Sequence, residues 1–382
     1  YNSLRFDDEF IRYAFYRNLL DPYSREWKNG NSRWDVLDLV RATGALRREG
    51  INWPKDDDGL PVYKLEELTK ANDIEHGNAH DAMSDVRATL GLAKLIYDNH
   101  PKIFSYYFGL RNKKQVRAVL EPYGIQTCIH ISGIYPRSRY GVAPVISLSR
   151  HPSNTNSIIV ADLGCDIEPL ISLSAEEIKL RLGLPNGTDQ LPIREIRINR
   201  CPFVVGFDVL TPENIDRLNI DLKLVEERAK RLRQPGVAKK IASAFDRYVG
   251  SPNKDPDTGL YDGFLQDEDR SRCDYFHQQR RLGEFPDLDF KDQRLPTLSN
   301  RIKVRSFPEK ATELEREQWV EWVRQKLLAD GDHLSLSKFI QEIKQLRKES
   351  MLTEQKHRLL DELLEYANQI CLQYRIDSDL LV

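Results

Sequence analysis

The stretch Asn78–Leu95, NAHDAMSDVRATLGLAKL, sets His80, Asp81 and Asp85 at the start of a helix whose other face is alanine, leucine and isoleucine. Its apolar spacing predicts one long helix ending before Pro101. The plain reading makes Asp81 an N-cap, His80 a surface residue and Asp85 a first-turn acid welcomed by the positive end of the helix dipole. The chemical reading puts an imidazole and a carboxylate on one edge of a cleft. The rest of the chain has to decide between them.

Working outward, the chain opens with YNSLRFDDE, a polar turn that leads Asp7 into an amphipathic helix, DDEFIRYAFYRNLL, with Phe10, Tyr13, Ala14 and Leu20 near helical spacing. The first residues read as a strand end running into that helix. SRWDVLDLVRATGAL reads as a short buried strand, Trp34–Leu39, running into a helix. DDDGLPVYKLEELTKANDI reads as a turn and another helix. Alternation of this kind predicts an α/β layer over residues 1–100.

Bulk properties narrow the class. A chain of 382 residues with 40% hydrophobic and 30% charged residues has room for two or three domains with real cores. The formal net charge is -2, so any nucleic-acid surface must be a local patch. No apolar run approaches the roughly 20 residues of a membrane helix, and no signal peptide is visible. The five cysteines are scattered without a C-x-x-C pair, which argues against zinc or a disulfide framework and fits the reducing cytoplasm.

Beyond Lys102 the pattern changes. TCIHISGIY, APVISLS, SIIVADL and IREIRINRCPFVVGF read as short strands broken by turn residues, a small barrel with helical insertions. SAEE at Ser174 is a capping box, and Thr211 opens another helix with Pro212 in its first position. Residues 251–310 read as a linker with short ordered pieces. Past Ala311 three apolar stripes predict bundle helices: Leu314, Trp319, Trp322, Val323 and Leu327; then Leu336, Phe339, Ile340, Ile343 and Leu346; then Leu359, Leu360, Leu363, Leu364, Ala367 and Ile370. The expected domains are 1–101, 102–250 and 251–382.

His80, Ala82 and Asp85 spell H-x-A-x-x-D, and Asn2, Phe6 and Asp7 spell N-x-x-x-F-D. The pair resembles the third and second motifs of the DEDDh 3′→5′ exonucleases, with one extra spacer residue in the second. NSRWDVLDLVRA, EGINWP, DDGLP with LEELTKAN, and EHGNAHDAM resemble the bacterial exonuclease I family over essentially the whole chain. The resemblance implies an RNase H-like exonuclease domain, an SH3-like barrel and a C-terminal helical domain. The family's first motif, D-x-E on a strand, is not in this sequence, so the chain is expected to be an N-terminally truncated fragment, inactive without that pair.

The implied activity is metal-dependent 3′→5′ degradation of single-stranded DNA to 5′-mononucleotides in repair and recombination. Two hard cations, Mg²⁺ or Mn²⁺, suit carboxylate ligands. Asp85 is expected to hold the ion that carries the attacking water and Asp7 the other ion, with His80 as general base. Expected DNA contacts are Arg12, Tyr23, Trp27, Arg41, Arg47 and Lys64. The runs EERAKRLRQ, HQQRRL and NRIKVR are either solvated faces or, as the resemblance implies, parts of a channel around the strand. It also implies docking of the acidic tail of single-stranded-DNA-binding protein, and a monomer. The alternatives are a DEDDh ribonuclease and a non-catalytic nucleic-acid-binding protein.

Overall fold

The computed structural model describes residues 1–75, 82–184, 190–245, 255–329, 334–348 and 353–377. His80 and Asp81 lie outside these residues. Contacts group the chain into two units, Tyr1–Arg12 with Tyr23–Ser251, and Tyr13–Pro22 with Pro252–Val382.

The first hundred residues fold as helices: α1 (Asp7–Arg17), α2 (Val36–Leu46), α3 (Leu65–Ala71) and α4 (Ala82–Asn99). Among the described residues of this stretch no strand forms beyond an isolated bridge between Lys55 and Pro61. The expected strand Trp34–Leu39 is instead the entry to α2. Asp35 accepts the Leu37 N–H at 2.9 Å and caps that helix, which starts the helical repeat at Val36. The run looked like a buried strand because α2 is buried on nearly all sides, so its polar face is missing. The chain start is likewise a turn, with Asp8 N–H bonded to the Ser3 carbonyl at 3.0 Å. The inner face of α1 also differs from expectation: Tyr16 and Leu19 are buried, whereas Phe10 and Leu20 are 64% and 44% exposed.

The helices α5 (Pro101–Gly109) and α6 (Lys113–Leu120) lead to five strands: β1 (Thr127–Ile131), β2 (Val142–Arg150), β3 (Ser157–Asp162), β4 (Ile193–Arg197) and β5 (Phe203–Val205). They form one antiparallel sheet in the order β4-β3-β2-β1-β5, whose edge strands do not pair with each other. The result is an open half-barrel. A bulge between Ser147 and Ser149 shifts the register of β2 on β3, and bulges bend the strands that carry them. β2 and β3 are buried almost end to end.

The insertion helices are α7 (Glu168–Ser172), α8 (Ala175–Leu182), α9 (Pro212–Arg217), α10 (Leu222–Leu232) and α11 (Val237–Ala244). Ser174 and Thr211 cap α8 and α9 through boxes closed by Glu177 and Asn214. α2 and α6 pack on β1 and β5, and α11 packs on β2, so one core runs from Leu4 to Phe245. All five cysteines are free.

In the second unit the expected linker carries a 3₁₀ turn at Pro256–Tyr261 and two full helices, α12 (Asp267–Arg281) and α13 (Arg294–Ser306). These were illegible because their inner faces are narrow: α12 buries only Asp269, Cys273 and Phe276. The 3₁₀ turn is held by Tyr16, whose hydroxyl donates to the Pro256 carbonyl at 2.8 Å, and by Arg17, which donates to the Asp257 carbonyl at 3.0 Å. The remaining helices are α14 (Glu313–Leu328), α15 (Leu336–Leu346) and α16 (Glu354–Gln373). The stripe on α14 is half-open, with Leu314 63% exposed and no residue buried, whereas Leu336, Ile340 and Ile343 of α15 and Leu360 and Ala367 of α16 are buried. No described helix is long and apolar enough to cross a membrane.

Candidate active site

Three consecutive acids, Asp7, Asp8 and Glu9, open α1, where the helix dipole favours negative charge. The fold sends them to different places. Asp8 is 4% exposed, and its two oxygens take Arg25 at 2.6 Å and Arg33 at 2.9 Å. Burial pushes its carboxyl up, but the hydrogen bonds and charges of Arg33 and Arg25 outweigh that and hold it below the usual carboxylate range. Glu9 meets Arg200 at 2.8 Å. Asp7 is exposed and lines a cleft of about 730 Å³.

The turn before α1 is anchored by the cap of α2. Asp35 accepts the N–H of Asn2 at 2.8 Å and of Leu4 at 3.1 Å while capping α2. Asn2 occupies φ +63°, a left-handed conformation that asparagine tolerates better than most residues. Tyr1 donates its hydroxyl to the Tyr63 carbonyl. The asparagine of the motif therefore shapes the turn that delivers Asp7.

The opposite wall comes from α4. Ala88, Leu92 and Ile96 bury its inner face, which turns the first-turn residue Asp85 toward the cleft. The Thr89 hydroxyl donates to the Asp85 carbonyl at 2.7 Å. Gly91 lets α3 and α4 approach, since a Cβ there would lie 2.7 Å from Ile74 Cγ2. That approach brings Lys64, Leu65 and Glu66 to the same rim. The cleft is lined by Asp7, Asp85, Lys64, Glu66, Ser3 and Thr89 among others. Glu66 was not anticipated; the signal available was a pair of acids in the first turn of α3.

The structure thus brings Asp7, Asp85 and Lys64 to one cleft, while His80 lies outside the described residues. Carboxylate oxygens without sulfur or described nitrogen donors suit a hard divalent cation. Among the described residues no group of three or more His, Cys, Asp or Glu gathers in ligating range.

Of the other expected DNA contacts, Trp27 is 64% exposed beside two short turns. Arg12 is a correction. It is 5% exposed, and its guanidinium is spent on Glu26, with Nε at 2.7 Å and a terminal nitrogen at 2.9 Å. Tyr23 lies under that same guanidinium, 5.3 Å from ring centre to cation. Arg41 binds Asp38 at 2.8 Å. Arg47 reaches the carbonyls of Leu46 at 2.7 Å and Val209 at 3.0 Å. These cations brace the fold, which a lone sequence cannot distinguish from surface charge.

Residues 1–93 match the family described as Exonuclease, residues 111–247 the Exonuclease I SH3-like domain, and residues 254–370 the Exonuclease I C-terminal domain. The chain is 38% identical to exodeoxyribonuclease I of Escherichia coli strain K12 over 97% of its own length and 78% of that protein. It is 40% identical to exodeoxyribonuclease I of Haemophilus influenzae over 86% of its length and 71% of that protein. The crystal structure of E. coli exonuclease I in complex with a dA16 oligonucleotide superposes with a TM-score of 0.90 at 38% identity, covering 97% of this chain and 80% of that one. A moderately thermophilic exonuclease I from Methylocaldum szegediense superposes at 0.89 with 38% identity, over 97% and 79% of the two chains. An RNase H-like exonuclease region, an SH3-like half-barrel and a helical C-terminal region in this order, with this cleft, place the chain in the exonuclease I family.

Proposed function

We propose that the chain works as a divalent-metal-dependent 3′→5′ exonuclease on single-stranded DNA, releasing 5′-mononucleotides, with Asp7 and Asp85 as metal ligands. The observation that carries this is the shared cleft of Asp7 and Asp85, flanked by Lys64. Magnesium is the natural ion for such oxygen donors, with manganese as substitute. A pair of bound ions would activate water and neutralise charge on the phosphate.

The chain's own groups have definite tasks. Asp85 and Asp7 would hold the ions from the first turns of two helices, and an imidazole nitrogen of His80 would accept the proton of the attacking water. Lys64, exposed on the rim, neutralises a phosphate oxygen. Trp27 offers a face to a base. Solved relatives include exonuclease I with single-stranded oligonucleotides and an SSB/exonuclease I complex. For this chain they support binding of single-stranded DNA and of single-stranded-DNA-binding protein, whose acidic tail is the segment proposed to dock. Division of labour follows 1–101 for chemistry, with 102–250 and 251–382 holding the strand, in a cytoplasmic monomer.

The test compares end-labelled single-stranded DNA, duplex DNA and RNA with Mg²⁺. In a version of the chain that also carries the D-x-E strand, stepwise shortening of single-stranded DNA from its 3′ end is expected, with His80→Ala lowering turnover by about 10²-fold or more and leaving DNA affinity intact. Equal turnover in the two proteins refutes the role of His80. Preferential cleavage of RNA, or tight binding of DNA without cleavage at saturating Mg²⁺ or Mn²⁺, selects the ribonuclease or the non-catalytic reading.

A further inference from the structure

The corner between α5 and α6 carries four cations in seven residues, Arg111, Lys113, Lys114 and Arg117, with no acid among them. Among the described residues none of the four makes an ion pair. Glu121, which feels the charge of Arg117, bonds Tyr123 at 2.8 Å and Arg150 at 3.4 Å instead. Lys113 and Lys114 stand in the first turn of α6, where the helix dipole disfavours positive charge. Burial, then the charges of Arg117 and Arg33, pull the Lys113 ammonium below its usual range. Lys113 donates to the Asn156 side-chain carbonyl at 2.9 Å, a neutral acceptor that leaves the charge of its ammonium in place.

Beside it runs a ladder of aromatic rings. Phe104 and Phe108 are nearly parallel at 6.4 Å, Trp34 meets them at 5.1 and 5.6 Å, and Tyr97 meets Phe104 at 5.2 Å. Tyr97 is 52% and Phe108 39% exposed. Arg111 joins ladder and patch, its guanidinium 3.6 Å from the Phe108 ring centre. Partly exposed rings beside cations that make no ion pair suit a single-stranded nucleic acid, bases for the rings and phosphates for the cations. An acidic peptide would match the charge and leave the rings unused.

We propose that the α5–α6 corner is a second single-strand-binding surface, separate from the metal cleft, in which Arg111, Lys113, Lys114 and Arg117 track phosphates and the Phe108 end of the ladder stacks a base. This rests on single-stranded DNA being the substrate. None of these residues lines the cleft.

The test is fluorescence anisotropy of labelled dT20 with the full chain in EDTA, where no hydrolysis occurs, across a salt series. Arg111→Ala/Lys114→Ala is expected to weaken binding about tenfold and to flatten the slope of log K against log salt by about 1.4, at about 0.7 per phosphate contact. Phe108→Ala is expected to weaken binding by about fivefold or more with the slope unchanged. Lys114→Gln, an exposed single change, keeps the test available should loss of Arg111 disturb its neighbours. Wild-type affinity and slope in all three variants overturn the proposal, as does displacement of dT20 by an equally charged acidic peptide at lower concentration. Failure of the unaltered chain to bind dT20 overturns the substrate reading itself.

Discussion

Arg12 is the residue on which a sequence-based and a structure-based account diverge most, and Arg12→Ala separates them. As a phosphate contact, its loss would weaken DNA binding and leave folding alone. The structure gives the opposite result. Arg12 and Glu26 form a two-bonded ion pair at 2.7 and 2.9 Å, with both side chains about 6% exposed. Removing one partner of a buried pair costs about 3–5 kcal/mol, because a charge is left without compensation. Glu26 keeps Arg33 at 3.0 Å, which relieves part of that penalty and sets the expectation at the low end, about 3 kcal/mol. Loss of the Arg12 cation over Tyr23 acts in the same direction. For a unit of this size about 3 kcal/mol corresponds to a fall in Tm of roughly 6–12 °C. The assay is urea unfolding followed by circular dichroism, with dT20 affinity measured at a temperature where the variant is folded. A stability change under 1 kcal/mol together with a several-fold loss of DNA affinity would refute the reasoning.

Other outcomes follow from the same geometry. Asp8 titrates below its unfolded value, so it contributes stability that is complete above the unfolded carboxylate range and is lost as pH falls through the folded value; Asp8→Asn should therefore flatten the acid limb of stability against pH, and an unaltered limb would show that Arg25 and Arg33 do not hold the carboxyl down. Trp27→Ala should reduce affinity for dT20 by about fivefold or more with Tm unchanged, since the ring is 64% exposed; a drop in Tm would mark it as a packing residue instead.

What sequence could and could not reveal follows from which forces leave a local trace. The caps at Ser174 and Thr211 were legible because capping depends on residues three apart. The strands β1 to β5 were legible through runs of β-branched and aromatic residues bounded by turns. α2 was misread because burial on all sides erased its amphipathic period. α12 and α13 were hidden for the reverse reason, their polar majority masking narrow apolar stripes. At the site, Asp7 and Asp85 could be picked out because their motifs are local, whereas the sorting of Asp7 from Asp8 is a tertiary matter. Only the folded positions of Arg25 and Arg33 make Asp8 an internal charge and leave Asp7 for the cleft. The partners of Arg12 and Arg47, Glu26 and the Val209 carbonyl, are assigned to them by the fold, whereas the Asp38–Arg41 pair is a local one three residues apart on α2.

The central claim is that two carboxylates far apart in the chain share one divalent-ion site, and anomalous diffraction from crystals soaked in Mn²⁺ tests it most directly. The account predicts manganese density inside the cleft of Asp7, Asp85 and Lys64, at about 2.0–2.2 Å from carboxylate oxygens or one water removed, and its disappearance in Asp7→Asn/Asp85→Asn. Saturating Mn²⁺ that leaves the cleft empty in the unaltered chain, or density that persists unchanged in the double variant, would contradict it.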